Sequence, residues 1–286
     1  MRKKILDYIS YPLILLLLAG CHTSPLVKGA IGLSKKVDET SGLASLGDDL
    51  ITFNDSGGKA TLYQINLLGE RVGKHKIKGA VNRDWEDIAQ DDQYYYISDT
   101  GNNYATRKNL TIYIVSNDFV LMDSILISYD QQKNFEKKKK NKYDAETLIV
   151  IGDSLAIFSK NRKSSKTQLY VLPKQAGTYR LKKRKTFNVN ALITGGDYEP
   201  ISRELVLTGY LPDRTQYVFR AENFRLDSLD QTKMERYQLP LPHAQVEAIC
   251  FHTDGQVWIS SEGEGDNQAF IIPINFDEIK KSQKIP

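Results

Sequence analysis

Short apolar runs of four to six residues recur along most of the chain, and residues that favour turns separate them. Runs such as Leu50–Phe53 and Leu155–Ser159 are rich in Leu, Ile and Phe, and Gly, Asn, Asp and Ser lie between the runs. This pattern predicts short β-strands. Outside the N-terminal segment no long stretch has the 3.6-residue period of an amphipathic helix, so the predicted fold class is all-β.

The strand pattern repeats five times. Each repeat has an anchor residue, a short apolar run that starts directly after it, a middle run and a third run. The anchors are Ser41, Glu86, Glu146, Glu199 and Glu247, which are spaced by 45, 60, 53 and 48 residues. A unit of roughly 50 residues with three or four short strands is the size of one propeller blade. We therefore predict a five-bladed β-propeller over residues 38–286, with a six-bladed ring or a β-sandwich as alternatives.

Two segments depart from the repeat. The lead-in, within residues 21–37, has an apolar stretch around Leu26–Leu33 that is expected to give the last blade an outer strand and so to close the ring. Residues 116–142 are the clearest insertion, and they contain the charge run Lys137–Lys140.

The first twenty residues resemble a bacterial lipoprotein signal peptide. A basic start, Arg2–Lys4, precedes an apolar run that is too short to span a bilayer. The string Leu18-Ala19-Gly20-Cys21 follows and resembles a lipobox. We expect residues 1–20 to be removed and Cys21 to carry acyl chains, palmitate among them, that anchor residues 21–37 to the cell envelope. The outer membrane is the expected location.

Charge and cysteine content exclude several classes of protein. The net charge of +4 would fall to +2 after cleavage, which is too weak to indicate nucleic-acid binding. Two cysteines, Cys21 and Cys250, cannot build a disulfide scaffold or a four-cysteine zinc site. Cys250 lies in an apolar run and is expected to be buried and inert. We expect a monomer.

The anchors carry the candidate chemistry. In a propeller, equivalent positions on the inner strands form a ring around the central channel, so Glu86, Glu146, Glu199 and Glu247 would converge beside Ser41. Four carboxylates in a narrow channel repel one another unless a cation compensates. Oxygen ligands favour calcium over zinc, and calcium accepts irregular coordination more readily than magnesium. A one-residue error in register would substitute neighbouring carboxylates, which are Asp84, Asp87, Asp144 and Asp197.

A second polar set follows the middle strands, where propeller loops often bind ligands. The candidate ligand-binding residues are Asp55, Asp99, Asn102 and Glu262. The same residue types also make tight turns, so a purely structural role stays open.

Several of these strings together resemble the SdiA-regulated family of bacterial propeller proteins. They are Ser-Gly-Leu-Ala at 41–44, Asn-Asp-Ser-Gly at 54–57, Trp-Glu-Asp-Ile-Ala at 85–89, Ser-Asp-Thr-Gly-Asn-Asn at 98–103 and Val-Glu-Ala-Ile at 246–249. The resemblance implies a five-bladed propeller with a bound calcium ion and no established catalytic activity. Lys160 and Arg162 do not match the family pattern. The layout is also similar to esterase-like phytase proteins.

The expected function is therefore a calcium-binding propeller of the cell envelope that acts as a binding or scaffold module for a protein, a glycan or an anionic envelope ligand. The alternative is a metal-dependent hydrolase of the phosphoesterase or lactonase type that works at the channel. No catalytic residue is assigned. Residues 133–185 hold sixteen Lys or Arg against four acids, so one side of the ring is expected to be basic.

Overall fold

Five β-sheets contain nearly all of the regular structure in the computed structural model, which describes residues 29–241 and 244–283. The predicted signal segment and the predicted lipidation site, Cys21, lie outside the described residues. Neighbouring strands pair antiparallel within each blade.

The strands follow the blades in chain order. β1 (Ile31–Gly32) precedes the first blade. The first blade contains β2 (Thr40–Leu46), β3 (Asp49–Asn54), β4 (Thr61–Ile65) and β5 (Arg71–Lys76). The second contains β6 (Asp87–Gln90), β7 (Tyr94–Asp99), β8 (Leu110–Ser116) and β9 (Leu121–Tyr129). The third contains β10 (Ala145–Ile151), β11 (Ser154–Ser159), β12 (Thr167–Pro173) and, after the outlying strand β13 (Gly177–Leu181), β14 (Lys183–Phe187).

The last two blades complete the ring. The fourth contains β15 (Leu192–Glu199), β16 (Glu204–Tyr210), β17 (Gln216–Ala221) and β18 (Glu235–Gln238). The fifth contains β19 (Val246–Phe251), β20 (Val257–Ser261) and β21 (Phe270–Ile274), and α1 (Phe276–Gln283) follows it. Short 3-10 helices lie at Lys35–Val37 and Leu229–Gln231.

The inner strands form a closed ring. β2, β6, β10, β15 and β19 each lie beside the inner strand of the next blade, and β19 lies beside β2. β1 pairs with β21, with Ile31 opposite Ile271, and is the outer strand of the fifth blade. The prediction of an all-β, five-bladed propeller is confirmed, and the six-bladed alternative is wrong.

Apolar packing between neighbouring blades holds the ring together. Five buried clusters lie between the five pairs of facing sheets. The cluster between the first and fifth blades joins Leu43 and Leu50 to Trp258 and Cys250. Cys250 is fully buried, and burial raises the pKa of its thiol well above the usual range. This burial agrees with the expectation of an inert thiol.

The predicted insertion is only partly an insertion. β9 lies within residues 116–142 and is the fourth strand of the second blade, which leaves residues 130–144 as the extra loop. β13 pairs with β9 in parallel, with Tyr179 opposite Ile127, so a strand from the third repeat covers the outer edge of the second blade. Covering this long strand removes an exposed sheet edge. Among the described residues, none of the helices has the length and apolar character that crossing a membrane requires.

Candidate functional site

The anchor residues and the loops after the middle strands meet at one end of the channel. Antiparallel pairing places the start of each inner strand opposite the end of the next strand, as with Thr40 and Asn54 or Val246 and Ser261. The two polar sets that the sequence offered separately therefore belong to a single site. We call this end of the channel the acidic mouth and the other end the opposite mouth.

Carboxylates converge at the acidic mouth in two overlapping groups. Carboxylate oxygens of Asp55, Asp84 and Glu86 lie within 4.8 Å of one another. A second group, within the same distance, joins Glu86 to Asp144 and Glu146. Glu86 belongs to both groups and is therefore the centre of the cluster.

β-bulges direct several of the anchors toward the channel. The pairing of β10 with β11 skips Glu146, and that of β19 with β20 skips Glu247. A bulge leaves the extra residue outside the regular alternation of the strand and turns its side chain. The same irregularity falls on Gly42 in β2 and on Thr194 in β15.

These bulges correct two of the predicted ring positions. The counterpart of Glu146 in the fourth blade is Thr194, whose hydroxyl donates to the Val246 carbonyl at 2.8 Å. In the first blade the counterpart is Gly42, and the Ser41 hydroxyl instead donates to the Glu86 carbonyl at 2.9 Å. The inner strands thus contribute three glutamates to the acidic mouth rather than four.

Glu199 lies at the far end of β15, five residues beyond the bulge. It lines a cavity of about 550 Å³ at the opposite mouth, together with Asp91 and Lys174. Its carboxylate accepts from the backbone N–H groups of Ile201, at 3.1 Å, and Ser202. Burial acts to raise the pKa of Glu199, but a hydrogen bond with the Ser202 side chain and those from the two N–H groups outweigh it and lower the pKa below its usual value. The predicted convergence of Glu199 with the other glutamates is therefore wrong, because the motif was aligned five residues too late.

Glu86 is the least compensated of the clustered carboxylates. Its side chain is buried, with 6% exposure, and within the described residues no hydrogen bond or ion pair reaches the carboxylate. Burial, followed by the charge of Glu146, raises the pKa of Glu86 well above its usual range. Gly101 packs directly against Glu86 and Asp84, where an added Cβ would overlap both carboxylates. The loop after β7 therefore needs glycine at this position.

The protein supplies its own cation to the other side of the cluster. Lys160, from the loop after β11, is 4% exposed and forms an ion pair with Glu146. The Glu247 carboxylate lies 3.8 Å from its Nζ, and the Tyr210 ring centroid lies at 5.1 Å. Burial opposes the charge of Lys160, but Glu146 and then Glu247 outweigh it and raise the pKa well above its usual range. One lysine thus lies between two of the anchor glutamates and offsets part of their negative charge.

Two arginines complete the charge balance. Arg162 Nε donates to Asp144 at 2.9 Å, and its Nη2 donates to Glu146 at 3.2 Å. Arg107 Nη2 lies 2.7 Å from Asp99, and its Nη1 lies 4.0 Å from Asp84. The positive charge is therefore concentrated on the flanks of the cluster and away from Glu86.

The first-blade side of the cluster keeps excess negative charge. Burial, and next the charge of Asp84, raises the pKa of Asp55 to about 7. Burial, and next the charge of Asp144, raises the pKa of Asp84 to about 6. One oxygen of Asp55 is buried without a hydrogen-bond partner. Burial and the neighbouring carboxylates therefore favour the protonated forms of Asp55 and Asp84.

The four loop residues predicted to bind a ligand divide into two pairs. Asp55 and Glu262 face the cluster, and burial, then the charge of Glu247, raises the pKa of Glu262 to about 9. Asp99 accepts from the Asp84 N–H at 3.1 Å and from Arg107, and Asn102 Oδ1 accepts from the Arg107 N–H at 3.0 Å. Asp99 and Asn102 therefore position the loop that carries Arg107.

Two of the alternative carboxylates hold neighbouring blades together. Asp87 accepts from the Leu148 N–H at 2.9 Å, which joins the second blade to the third. Asp197 accepts from the Phe251 N–H at 2.9 Å, which joins the fourth blade to the fifth. Asp84 and Asp144, in contrast, belong to the acidic cluster.

The residues that sequence reasoning missed are the cations. Lys160 and Arg162 follow β11 just as Asp55 follows β3 and Glu262 follows β20, so their position in the repeat already indicated the acidic mouth. Arg107 gave no such signal, because it lies six residues beyond Gly101 in an irregular loop.

No protein-family model matches the sequence, and no curated protein matches it significantly. Among solved structures, the chain resembles an endo-arabinase from Bacteroides thetaiotaomicron, with a TM-score of 0.54 and 13% identity over 86% of this chain and 97% of that chain. It also resembles an exo-β-1,3-galactanase from Phanerochaete chrysosporium, with a TM-score of 0.53 and 12% identity over 83% of this chain and 60% of that chain. At such low identity, these similarities support the propeller fold alone.

Proposed function

We propose that the acidic mouth binds a divalent cation, calcium, and that the propeller presents this site to a partner or ligand. The observation that carries the proposal is the Glu86 carboxylate, whose side chain is 6% exposed, which has no hydrogen-bond or ion-pair partner among the described residues, and which is shared by two groups of three carboxylates. An isolated buried carboxylate is costly unless it is protonated or compensated. The resemblance to the SdiA-regulated family supports the same proposal.

The proposed ligands are Asp55, Asp84 and Glu86. Asp144 and Glu146 are weaker candidates, because Arg162 already pairs with both of them and Lys160 also pairs with Glu146. All these donors are carboxylate oxygens, which suit calcium, and no thiol or imidazole belongs to either group of carboxylates. A bound cation would favour the ionised forms of Asp55 and Asp84, so binding at neutral pH would release protons.

Lys160 shifts the proposed cation site away from the centre of the predicted glutamate ring. Since Lys160 already neutralises the space between Glu146 and Glu247, we place the cation on the first- and second-blade side of the channel. Glu247 and Glu262 then act as neighbours of the site rather than as ligands.

Calcium binding is tested by equilibrium dialysis with metal analysis, together with thermal unfolding in calcium or chelator. We expect about one calcium per chain, a rise in Tm with calcium and proton release on binding. Glu86→Gln should lose all three responses, and Glu199→Gln, a matched change at the opposite mouth, should keep them. If the unchanged protein binds no calcium and its Tm does not respond, the proposal fails.

A hydrolase is the second candidate, and the partial exposure of the site favours it. Asp55 and Asp84 are half-buried, whereas Glu86, Asp144 and Glu146 are buried, so the cluster opens to solvent on one side. A cation bound there would polarise a phosphoester or lactone and lower the pKa of a bound water. Hydrolysis of p-nitrophenyl phosphate or a γ-lactone that needs calcium and is lost in Glu86→Gln would support this candidate. Binding of arabinan or galactan without turnover would support the binding module.

We also propose that Cys21 anchors the protein to the cell envelope. The basic start, the short apolar run and the lipobox-like string support this location. Incorporation of labelled palmitate in a bacterial host, with loss of label and membrane association in Cys21→Ser, is the expected result. A Cys21→Ser protein that keeps both would contradict the proposal.

A further inference from the structure

A second charged site lies beside the acidic mouth and has the opposite sign. The loop between β9 and β10 encloses a cavity of about 410 Å³. Six lysines line it, and they are Lys133, Lys137, Lys138, Lys140, Lys142 and Lys163. Glu136 is the one carboxylate among the lining residues. We call this the lysine cavity.

The positive charge of the lysine cavity is not neutralised by the protein. Within the described residues, none of the six lysines forms an ion pair with a carboxylate. Lys142 Nζ donates to the amide oxygen of Gln131 at 2.7 Å, which satisfies a hydrogen bond but not the charge. Burial, then the charges of Lys183 and Lys163, lowers the pKa of Lys142. An anion in the cavity would relieve this repulsion.

Hydrogen bonds to neighbouring loops hold the lysine-bearing loop in place. The Lys138 N–H donates to the Tyr104 carbonyl at 2.8 Å, and buried Asn141 donates from Nδ2 to the Asn103 carbonyl at 2.9 Å. At the other end, the Tyr143 hydroxyl donates to the Gln131 carbonyl at 2.9 Å. The lysines thus project from a framed backbone rather than from a free tail, which reduces the entropy lost when a ligand is bound.

We propose that the lysine cavity binds a compact, multivalent anion that carries phosphate groups. Six lysine side chains line one concavity, so several ammonium groups can reach a ligand that carries several phosphate oxygens, and lysine binds phosphate as a point charge. Lys137 Nζ lies 4.4 Å from the Tyr104 ring centroid, a contact that leaves its charge without a counterion. The concave shape and the small volume favour a soluble ligand over a flat membrane surface. This proposal does not depend on the calcium site, because none of the proposed calcium ligands lines the cavity.

Titration calorimetry with tripolyphosphate tests the proposal, in chelator so that the calcium site stays empty. We expect one binding event whose affinity falls as salt rises. Lys137→Gln/Lys140→Gln/Lys142→Gln should weaken binding by about tenfold or more, because each lysine supplies charge-assisted hydrogen bonds. The matched control, Lys74→Gln/Lys76→Gln/Lys78→Gln, removes three exposed lysines around the end of β5 and should change the affinity by less than about twofold.

A variant that is expected to strengthen binding shows that a loss of binding elsewhere is not simply a loss of folding. Glu136→Gln removes the carboxylate from the cavity and should strengthen binding about two- to threefold, which a misfolded protein would not do. Equal loss of binding in the two triple variants would overturn the proposal, and so would an absence of tripolyphosphate binding. Cosedimentation with phosphatidylglycerol vesicles separates the sources of phosphate. Vesicle binding without tripolyphosphate binding would show that the lysines dock on a membrane and would also overturn it.

Discussion

The two ends of the channel carry the same kind of residue and use it differently. At the acidic mouth, Glu86 is buried, no hydrogen-bond donor within residues 29–241 and 244–283 reaches its carboxylate, and its neighbours are carboxylates. At the opposite mouth, Asp197 accepts from the N–H groups of Tyr198, at 2.7 Å, and Phe251, while Glu199 accepts from those of Ile201 and Ser202. Backbone donors make the second pair part of the framework, whereas Glu86 has no such donor among the described residues, which is why we propose it as a cation ligand.

The two mouths differ in what surrounds each carboxylate at the strand ends, and not in the kind of residue they carry. At the acidic mouth, bulges and long loops bring side chains from several blades together, so carboxylates face carboxylates. At the opposite mouth, the carboxylates lie against free N–H groups of their own turn or of the next inner strand. A count of acids per blade does not distinguish these cases, but the donors around each acid do.

The largest effect is expected from the buried cation of the acidic mouth. Lys160→Met should destabilise the protein by about 3 to 5 kcal/mol, because it leaves buried Glu247 without an ion pair among the described residues and leaves Glu146 with Arg162 alone. For a protein of this length, such a loss of stability corresponds to a fall in Tm of roughly 10 °C or more. Calorimetry in the presence of a chelator would measure it.

Lys174→Met is the control at the opposite mouth. Lys174 lies 2.7 Å from Asp91, but both side chains are partly exposed. Its loss should cost about 0 to 1 kcal/mol. Equal losses in the two variants would show that the two mouths do not differ in the way described.

The next largest effect is a difference in stability between a variant of a structural carboxylate, Asp197, and a variant of a proposed binding carboxylate, Asp55. Asp197→Ala leaves the N–H groups of Tyr198 and Phe251 without their acceptor and should cost about 1 to 3 kcal/mol. Asp55→Ala removes a repelling charge and should leave the stability of the metal-free protein unchanged or higher. Urea unfolding in chelator measures both, and a larger loss for Asp55→Ala would contradict the assignment.

The acidic mouth should also change the pH dependence of stability. Asp55 and Asp84 have native pKa values of about 7 and about 6, above the ordinary value of 3.8. Between pH 4 and 7 the native state binds more protons than the unfolded state, so these groups make stability fall as pH rises through that window. In chelator, Tm should therefore decline less over this window in Asp55→Asn/Asp84→Asn than in the unchanged protein. Calcium should raise the Tm of the unchanged protein more at pH 8 than at pH 5, and a Tm gain independent of pH would contradict the proposed ligands.

The fold could be predicted from the sequence because its information is local and repeated. Short apolar runs, turn residues and a period near 50 residues indicate five blades. The pairing of the first strand, β1, with the last strand, β21, agrees with a closed ring. The site was harder, because it depends on register. Glu86, Glu146 and Glu247 stand two residues before the apolar pairs Ile88-Ala89, Leu148-Ile149 and Ile249-Cys250. In β15 the corresponding stretch is Thr194-Gly195-Gly196, which has no apolar pair to align, so the anchor was placed on Glu199.

The neutralising lysine could not be identified from spacing alone. Lys160 lies in a loop, and its side chain extends between Glu146 of the third blade and Glu247 of the fifth blade. Such a contact depends on how the blades close around the axis, which a repeat alignment does not contain. The loop position of Lys160 was visible in the sequence, but the partner of its charge was not.

The smallest expected effect tests whether Glu199 and Glu86 change Tm in opposite directions as pH changes. The pKa of Glu199 is lowered, so its contribution to stability is present above its unfolded pKa and is lost as pH falls through the native pKa. Glu199→Gln should therefore lower Tm by about 1 to 3 °C at pH 7 and by less at pH 3, because the contribution shrinks as pH falls toward the native pKa. Glu86→Gln should have the opposite sign in chelator and cause no loss, or a gain, at pH 7, because burial and then the charge of Glu146 raise the pKa of the native carboxyl and so make its ionised form costly. Thermal unfolding of the two variants at both pH values compares them directly. If both variants lost stability at pH 7 by the same amount, hydrogen-bond donors would not be what distinguishes the two mouths.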